Sequence, residues 1–124
     1  MKYISYLYRD ANNYKQSGTI MLTEAPTKEQ LDALRTACDE GGYFIPQQVG
    51  VIPLQGMWGK PDPEADHAWH ELGDGWDIEV HDAGYLGGGP VSGPFAPEAL
   101  VAKFQKAAGD GWDIFLWEGN QEGR

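Results

Sequence analysis

The chain reads as one α+β domain, a mostly antiparallel sheet with two helices packed on one face, in the approximate order β-β-α-β-β-β-α-β. Three observations predict this class. Stretches of aromatic and β-branched residues with a period of two alternate with two stretches whose apolar residues recur at helical spacing. Asp-Gly and Gly-Gly steps punctuate them. The hexapeptide Gly73-Asp74-Gly75-Trp76-Asp77-Ile78 also recurs as Gly109-Asp110-Gly111-Trp112-Asp113-Ile114, each copy reading as a turn that launches a strand beginning with Trp.

In chain order, residues 2–9 carry the aromatic and β-branched types of a strand. A polar loop follows from Asp10, and Gly18 to Thr23 forms the hairpin partner. Thr27 has the position of an N-cap with Gln30 three residues later, the spacing of a capping box. Leu31, Leu34 and Cys38 then follow at helical intervals, with Gly41-Gly42 as the stop. Cys38 falls on the buried face and reads as core, because a reactive thiol needs exposure and a neighbouring cation or base.

Tyr43 to Pro53 is extended but interrupted by Pro46 and Pro53, which suits an edge strand or covering loop. Residues 55–66 read as loop. Residues 67–72 pair with residues 76–81 as a hairpin across Gly73-Asp74-Gly75. In that hairpin Trp76, Ile78 and Val80 face the core, and Asp77, Glu79 and His81 face outward. Gly84 to Pro94 holds five glycines and two prolines in eleven positions and reads as loop. Pro97 suits a first helical position with Glu98 in the first turn. Leu100, Val101, Phe104 and Ala108 form its apolar stripe, Gly109 stops it, and a last strand runs through Trp117. Residues 118–124 are a polar, frayed tail. The two halves share an order of elements, but the repeated hexapeptide follows a strand in one and a helix in the other, so convergent turn chemistry explains it.

Composition narrows the functional classes. At 124 residues, 41% hydrophobic and 12% aromatic, the chain can bury a core. Nine basic against nineteen acidic residues leave a net charge of −10, which repels nucleic acid and anionic membrane. The excess is uneven, with −1 on residues 1–62 and −9 on residues 63–124. Such a surface either keeps the chain soluble or docks a basic protein. One cysteine excludes an internal disulfide, and the start is too short and polar for a signal peptide or membrane span. A reducing cytoplasm is the expected compartment.

The densest group of metal-ligating types is Asp66, His67, His70 and Glu71. Two imidazoles and a carboxylate could hold a divalent ion and activate water, the basis of an alternative reading as a small metal-assisted hydrolase using His67, His70 and Asp66. The spacing opposes it, because residues three apart lie on opposite faces of a strand and the order is not His-Glu-x-x-His. The glycine run lacks the Lys-Ser/Thr ending of a phosphate loop, so no nucleotide or other cofactor is expected. Asp-Gly steps are ordinary turns and not a calcium loop.

Three stretches are familiar together: Tyr6-Leu7-Tyr8-Arg9-Asp10-Ala11-Asn12-Asn13-Tyr14-Lys15, Phe44-Ile45-Pro46-Gln47-Gln48-Val49-Gly50, and Asp66-His67-Ala68-Trp69-His70-Glu71. Over residues 3–72 the chain resembles a group of small acidic bacterial proteins with no assigned activity. The resemblance implies a bacterial cytoplasmic protein of α+β fold and carries over no functional residue.

With no convincing catalytic set, the leading expectation is a non-enzymatic binding protein, of the inhibitor or immunity type, docking a basic protein such as a nuclease toxin. The expected docking face is Glu71, Asp74, Asp77, Glu79 and Asp82, with Trp58 as an aromatic anchor. A self-associating housekeeping module, a homodimer, is the third reading.

Overall fold

A computed structural model of the protein describes residues 1–9, 15–54, 67–73, 78–82 and 89–114. The expected Trp58 anchor, Asp66, Asp74, Trp76, Asp77, residues 84–88 of the glycine run, residues 115–117 of the last strand and the 118–124 tail lie outside these residues.

Strand β1 (Lys2–Arg9) is central because its sequence alternates so regularly: Ile4, Tyr6 and Tyr8 are buried on one face, and Tyr3, Ser5, Leu7 and Arg9 are half-buried on the other. Strand β2 (Lys15–Leu22) pairs with it antiparallel from Arg9↔Lys15 to Lys2↔Leu22, so the expected hairpin forms and starts three residues before Gly18. The polar Lys15-Gln16-Ser17 carries no strand signature of its own; ladder pairing with β1 holds it extended.

Helix α1 (Lys28–Ala37) begins with the expected capping box. The Gln30 N–H donates to Thr27 Oγ1 at 3.1 Å, and the Thr27 N–H donates to Gln30 Oε1 at 2.8 Å. Leu34 and Cys38 are buried, with Leu31 packed beside them. Strand β3 (Tyr43–Phe44) is only two residues long. The extended expectation for 43–53 fails after it, because Pro46–Val49 closes as a helical turn, α2. Pro46 opens that turn and Gly50 ends it at φ 76°, a left-handed C-cap that suits glycine.

Strand β4 (His70–Leu72) departs from the expected hairpin. Leu72 pairs with Tyr6, and His81 pairs further along β1 with Tyr3, both antiparallel. Leu72 and His81 thus both pair with β1 and not with each other. Leu72 and His81 lie nine positions apart in the chain, and their partners Tyr6 and Tyr3 lie three apart. Ile78 packs on the core as expected, but Val80 is 37% exposed.

Strand β5 (Val91–Phe95) takes up the last four residues of the Gly84–Pro94 stretch expected to be loop and runs one residue beyond it. It runs parallel to β2, with Thr19↔Val91 in register. Helix α3 (Pro97–Asp110) has Pro97 at its start and Glu98 in its first turn, and buries Leu100, Phe104 and Ala107; Ala108 faces solvent, correcting the expected stripe by one position. The stop is also later than Gly109. The second hexapeptide copy enters as helix and leaves it at Gly111, φ 92°, so it launches no strand over residues 112–114. Trp112 instead packs edge-on against Phe104, and its Nε1–H donates to the Ala37 carbonyl at 3.1 Å.

The result is a five-stranded sheet in the order β3-β4-β1-β2-β5, antiparallel except for β2–β5. Helices α1 and α2 both pack on α3. One apolar core joins Ile4, Tyr6, Ile20 and Leu72 from the sheet to Leu34, Val49, Leu100 and Phe104 from the helices, which places the helices on one face. The α+β class is as the sequence predicts. Among the described residues no helix is long and apolar enough to cross a membrane.

Candidate functional site

The β3 edge of the sheet holds a pocket of about 300 Å³ lined by Asp39, Glu40, Tyr43, His67 and Trp69. Its acidic side is the turn that follows α1. The Asp39 N–H donates to the Tyr43 carbonyl at 2.7 Å and the Tyr43 N–H donates back to the Asp39 carbonyl at 3.0 Å, closing a tight loop. Within it Glu40 has φ 51°, a left-handed conformation uncommon outside glycine, and Gly41 follows at 77°. The loop is anchored to the sheet by the Leu72 N–H, which donates to the Gly42 carbonyl at 2.8 Å. Both carboxylate residues are exposed, and neither enters an ion pair among the described residues.

The other side is aromatic. Tyr43 is 41% exposed and Trp69 is half-buried. His67 stands between this pocket and the core. Its Nδ1 accepts from the Trp69 N–H at 3.1 Å, which leaves the ring proton on Nε2 to be donated to the Arg9 carbonyl at 2.7 Å. The Tyr8 ring lies 5.1 Å from it, and the Tyr8 hydroxyl accepts from the His67 N–H at 3.1 Å.

His70, three positions further on at the start of β4, is fully buried. Its Nε2 accepts from the Leu54 N–H at 3.0 Å and its Nδ1 donates to the Ala68 carbonyl at 3.0 Å. Burial, offset in part by the Ala68 hydrogen bond and reinforced by nearby His67, lowers its pKa to about 3. Each imidazole thus spends both nitrogens on backbone groups, His70 tying Leu54 to residues 67–70 and His67 tying that segment to Arg9 of β1. Ligation of a metal through one nitrogen of each ring would displace two of these four hydrogen bonds, one at His67 and one at His70. Among the described residues no three or more His, Cys, Asp or Glu side chains gather to hold a metal ion.

The described members of the expected docking face occupy two places. Glu71 stands opposite Tyr43 in the β3–β4 register, its carboxylate 20% exposed and 3.2 Å from Arg9 Nε. Glu79 and Asp82 flank His81 near the start of β1, roughly 13 Å further along that strand at its ordinary rise. Asp82 is ion-paired with Lys2, which holds its carboxyl below the usual range, whereas Glu79 is 70% exposed beside His81. Two of these three carboxylates are therefore matched by the chain's own cations. The pocket residues Asp39, Glu40, Tyr43 and Trp69 were not legible as a site, because they come from separate segments that only the β3–β4 pairing brings together. The sole local signal is an acidic pair before Gly-Gly-Tyr.

No family model matches the chain, and no curated protein or solved structure is significantly similar to it. The functional reading rests on this geometry.

Proposed function

We propose that the protein is a non-enzymatic acidic binding protein that docks a basic protein partner, in the manner of an inhibitor or immunity protein against a nuclease toxin. The observation that carries this reading is the pocket whose lining brings Asp39 and Glu40, neither ion-paired among the described residues, together with Tyr43 and Trp69. On a chain of net charge −10, a positively charged partner is steered inward, and aromatic anchors supply contact area once it arrives. Glu79 adds an exposed carboxylate at a separate place, near the start of β1. The hydrolase alternative loses support because both histidines are committed to backbone partners.

The test is a tagged pull-down from the native host at low and high salt, run beside the Asp39→Lys, Glu40→Lys double variant. A stoichiometric basic protein held by the unaltered chain, released by salt and not held by the variant is the expected result. Recovery of the same protein by both forms would remove this edge of the sheet as the docking surface.

A further inference from the structure

We infer that the pocket formed by Asp39, Glu40, Tyr43, His67 and Trp69 is a receptor for a single arginine side chain of the partner, an inference that rests on the docking reading above. Size is the first argument. At about 300 Å³ the pocket lies at the small end of ligand sites, room for one long side chain and not for a helix or strand.

Chemistry is the second. An apolar occupant would strip water from Asp39 and Glu40 with nothing to replace it, which is costly. A cation satisfies both carboxylates and is also attracted to the faces of Tyr43 and Trp69. His67 offers no competing polar group, since Nδ1 and Nε2 are both engaged, so it contributes ring surface alone. Of the chain's own cations, Arg9, whose carbonyl accepts from His67, is engaged with Glu71.

Between the two cationic side chains the mixed lining selects arginine. A guanidinium can lie flat on an aromatic ring while its in-plane N–H groups still reach carboxylate oxygens, whereas an ammonium is a compact, strongly hydrated charge that satisfies one demand at a time. The closed Asp39–Tyr43 loop holds Glu40 in its left-handed conformation before any ligand arrives, so little ordering is left for binding.

The experiment titrates the full chain with N-acetyl-arginine amide, N-acetyl-lysine amide and the neutral isostere N-acetyl-citrulline amide. The readout is the Trp69 indole N–H resonance, assigned with Trp69→Phe. A saturable shift with the arginine compound, weaker binding of the lysine compound and no shift with citrulline are expected. Asp39→Asn with Glu40→Gln, or Tyr43→Ala alone, should each weaken arginine binding about three- to fivefold, the scale of an exposed ion pair or cation–π contact. These positions are exposed, so the substitutions should leave the fold intact, which the dispersion of the remaining resonances checks. An equal response to citrulline, a preference for lysine, no saturable shift, or unchanged affinity in both variants overturns the inference. Salt-sensitive capture of a basic partner without arginine binding would sink the arginine pocket alone. Arginine binding without any such partner would sink the docking reading alone.

Discussion

Tyr6 and Gly18 face each other across the β1–β2 ladder, and the phenol ring fills the space that a side chain at position 18 would need. A Cβ on residue 18 would meet Tyr6 Cζ at 2.5 Å and its hydroxyl oxygen at 2.7 Å. The far end of the ring is fixed as well, because the hydroxyl donates to the Ile52 carbonyl at 2.5 Å. Ser92 Oγ accepts from the Ile52 N–H at 2.9 Å, so β5 joins the same buried network. Burial outweighs the hydrogen bond with Ser92 and raises the phenol pKa to about 12. Glycine within a strand is locally unfavourable; here its missing side chain admits the largest aromatic group at the middle of the sheet.

Gly18→Ala should therefore destabilise the fold by roughly 1–3 kcal/mol, the usual range for overpacking a core. Shortening the ring relieves the clash, so in Tyr6→Leu the same alanine should cost less. Urea unfolding of the two single variants and the double variant closes the cycle. A coupling below about 0.5 kcal/mol would show that the ring and the glycine do not constrain each other.

Gly89 makes a sharper demand. A Cβ there would stand 1.8 Å from the Ser17 carbonyl oxygen, a backbone atom with no rotamer to yield. The neighbouring Pro90 carbonyl accepts from the Thr19 N–H at 2.9 Å and starts the β2–β5 pairing. Gly41 is the control: it has φ 77° but open space around it. Gly41→Ala should cost about 1 kcal/mol of left-handed strain, and Gly89→Ala about 3 kcal/mol or more with loss of β5 pairing. Equal losses in thermal or denaturant unfolding would refute the close approach.

This contrast explains which parts of the fold are legible in sequence. Thr27 with Gln30, and Pro97 with Glu98, announce helix starts through local hydrogen bonding and backbone preference, and both helices begin there. Ile4, Tyr6 and Tyr8 announce β1 by alternation. Strand β5 has no such signal: Val-Ser-Gly-Pro-Phe is poor strand sequence, held extended by a parallel neighbour distant in the chain. The Asp-Gly step after Leu72 has hairpin chemistry, yet the free edge of β1 captures His81. The pocket is hidden for the same reason, since proximity of Trp69 to Asp39 is a product of sheet order.

Cys38 is the lone cysteine, 5% exposed at the end of α1. Burial, with a smaller push from Asp39 and against the pull of Arg35, raises its thiol pKa to about 12. The thiolate is the reactive form, so the native chain should react with a disulfide reagent at least about a hundredfold more slowly than the urea-unfolded chain at pH 8. Comparable rates in the two states would place the thiol at the surface and remove it from the core.

His70 makes stability depend on pH in a predictable direction. Unfolded, the imidazole takes up a proton near 6.5; folded, it resists protonation until about 3, because a buried cation would sit among the rings of Tyr6, Tyr8 and Phe44. Between those values the unfolded state binds more protons, so the contribution of His70 is complete above pH 6.5 and declines as pH falls toward 3. A neutral amide at this position keeps a donor and an acceptor but does not titrate. His70→Gln should then lose about 1–3 kcal/mol at pH 7.5, from imperfect hydrogen bonding to Leu54 and Ala68. Its deficit should shrink as pH drops from 6.5 to 4, because only the unaltered chain loses this term, while the carboxylates titrate alike in both. Urea unfolding across that range reads the difference directly. Parallel stability curves would mean that His70 is protonated as readily in the folded chain as in the unfolded one, and its role as a neutral buried brace would fall.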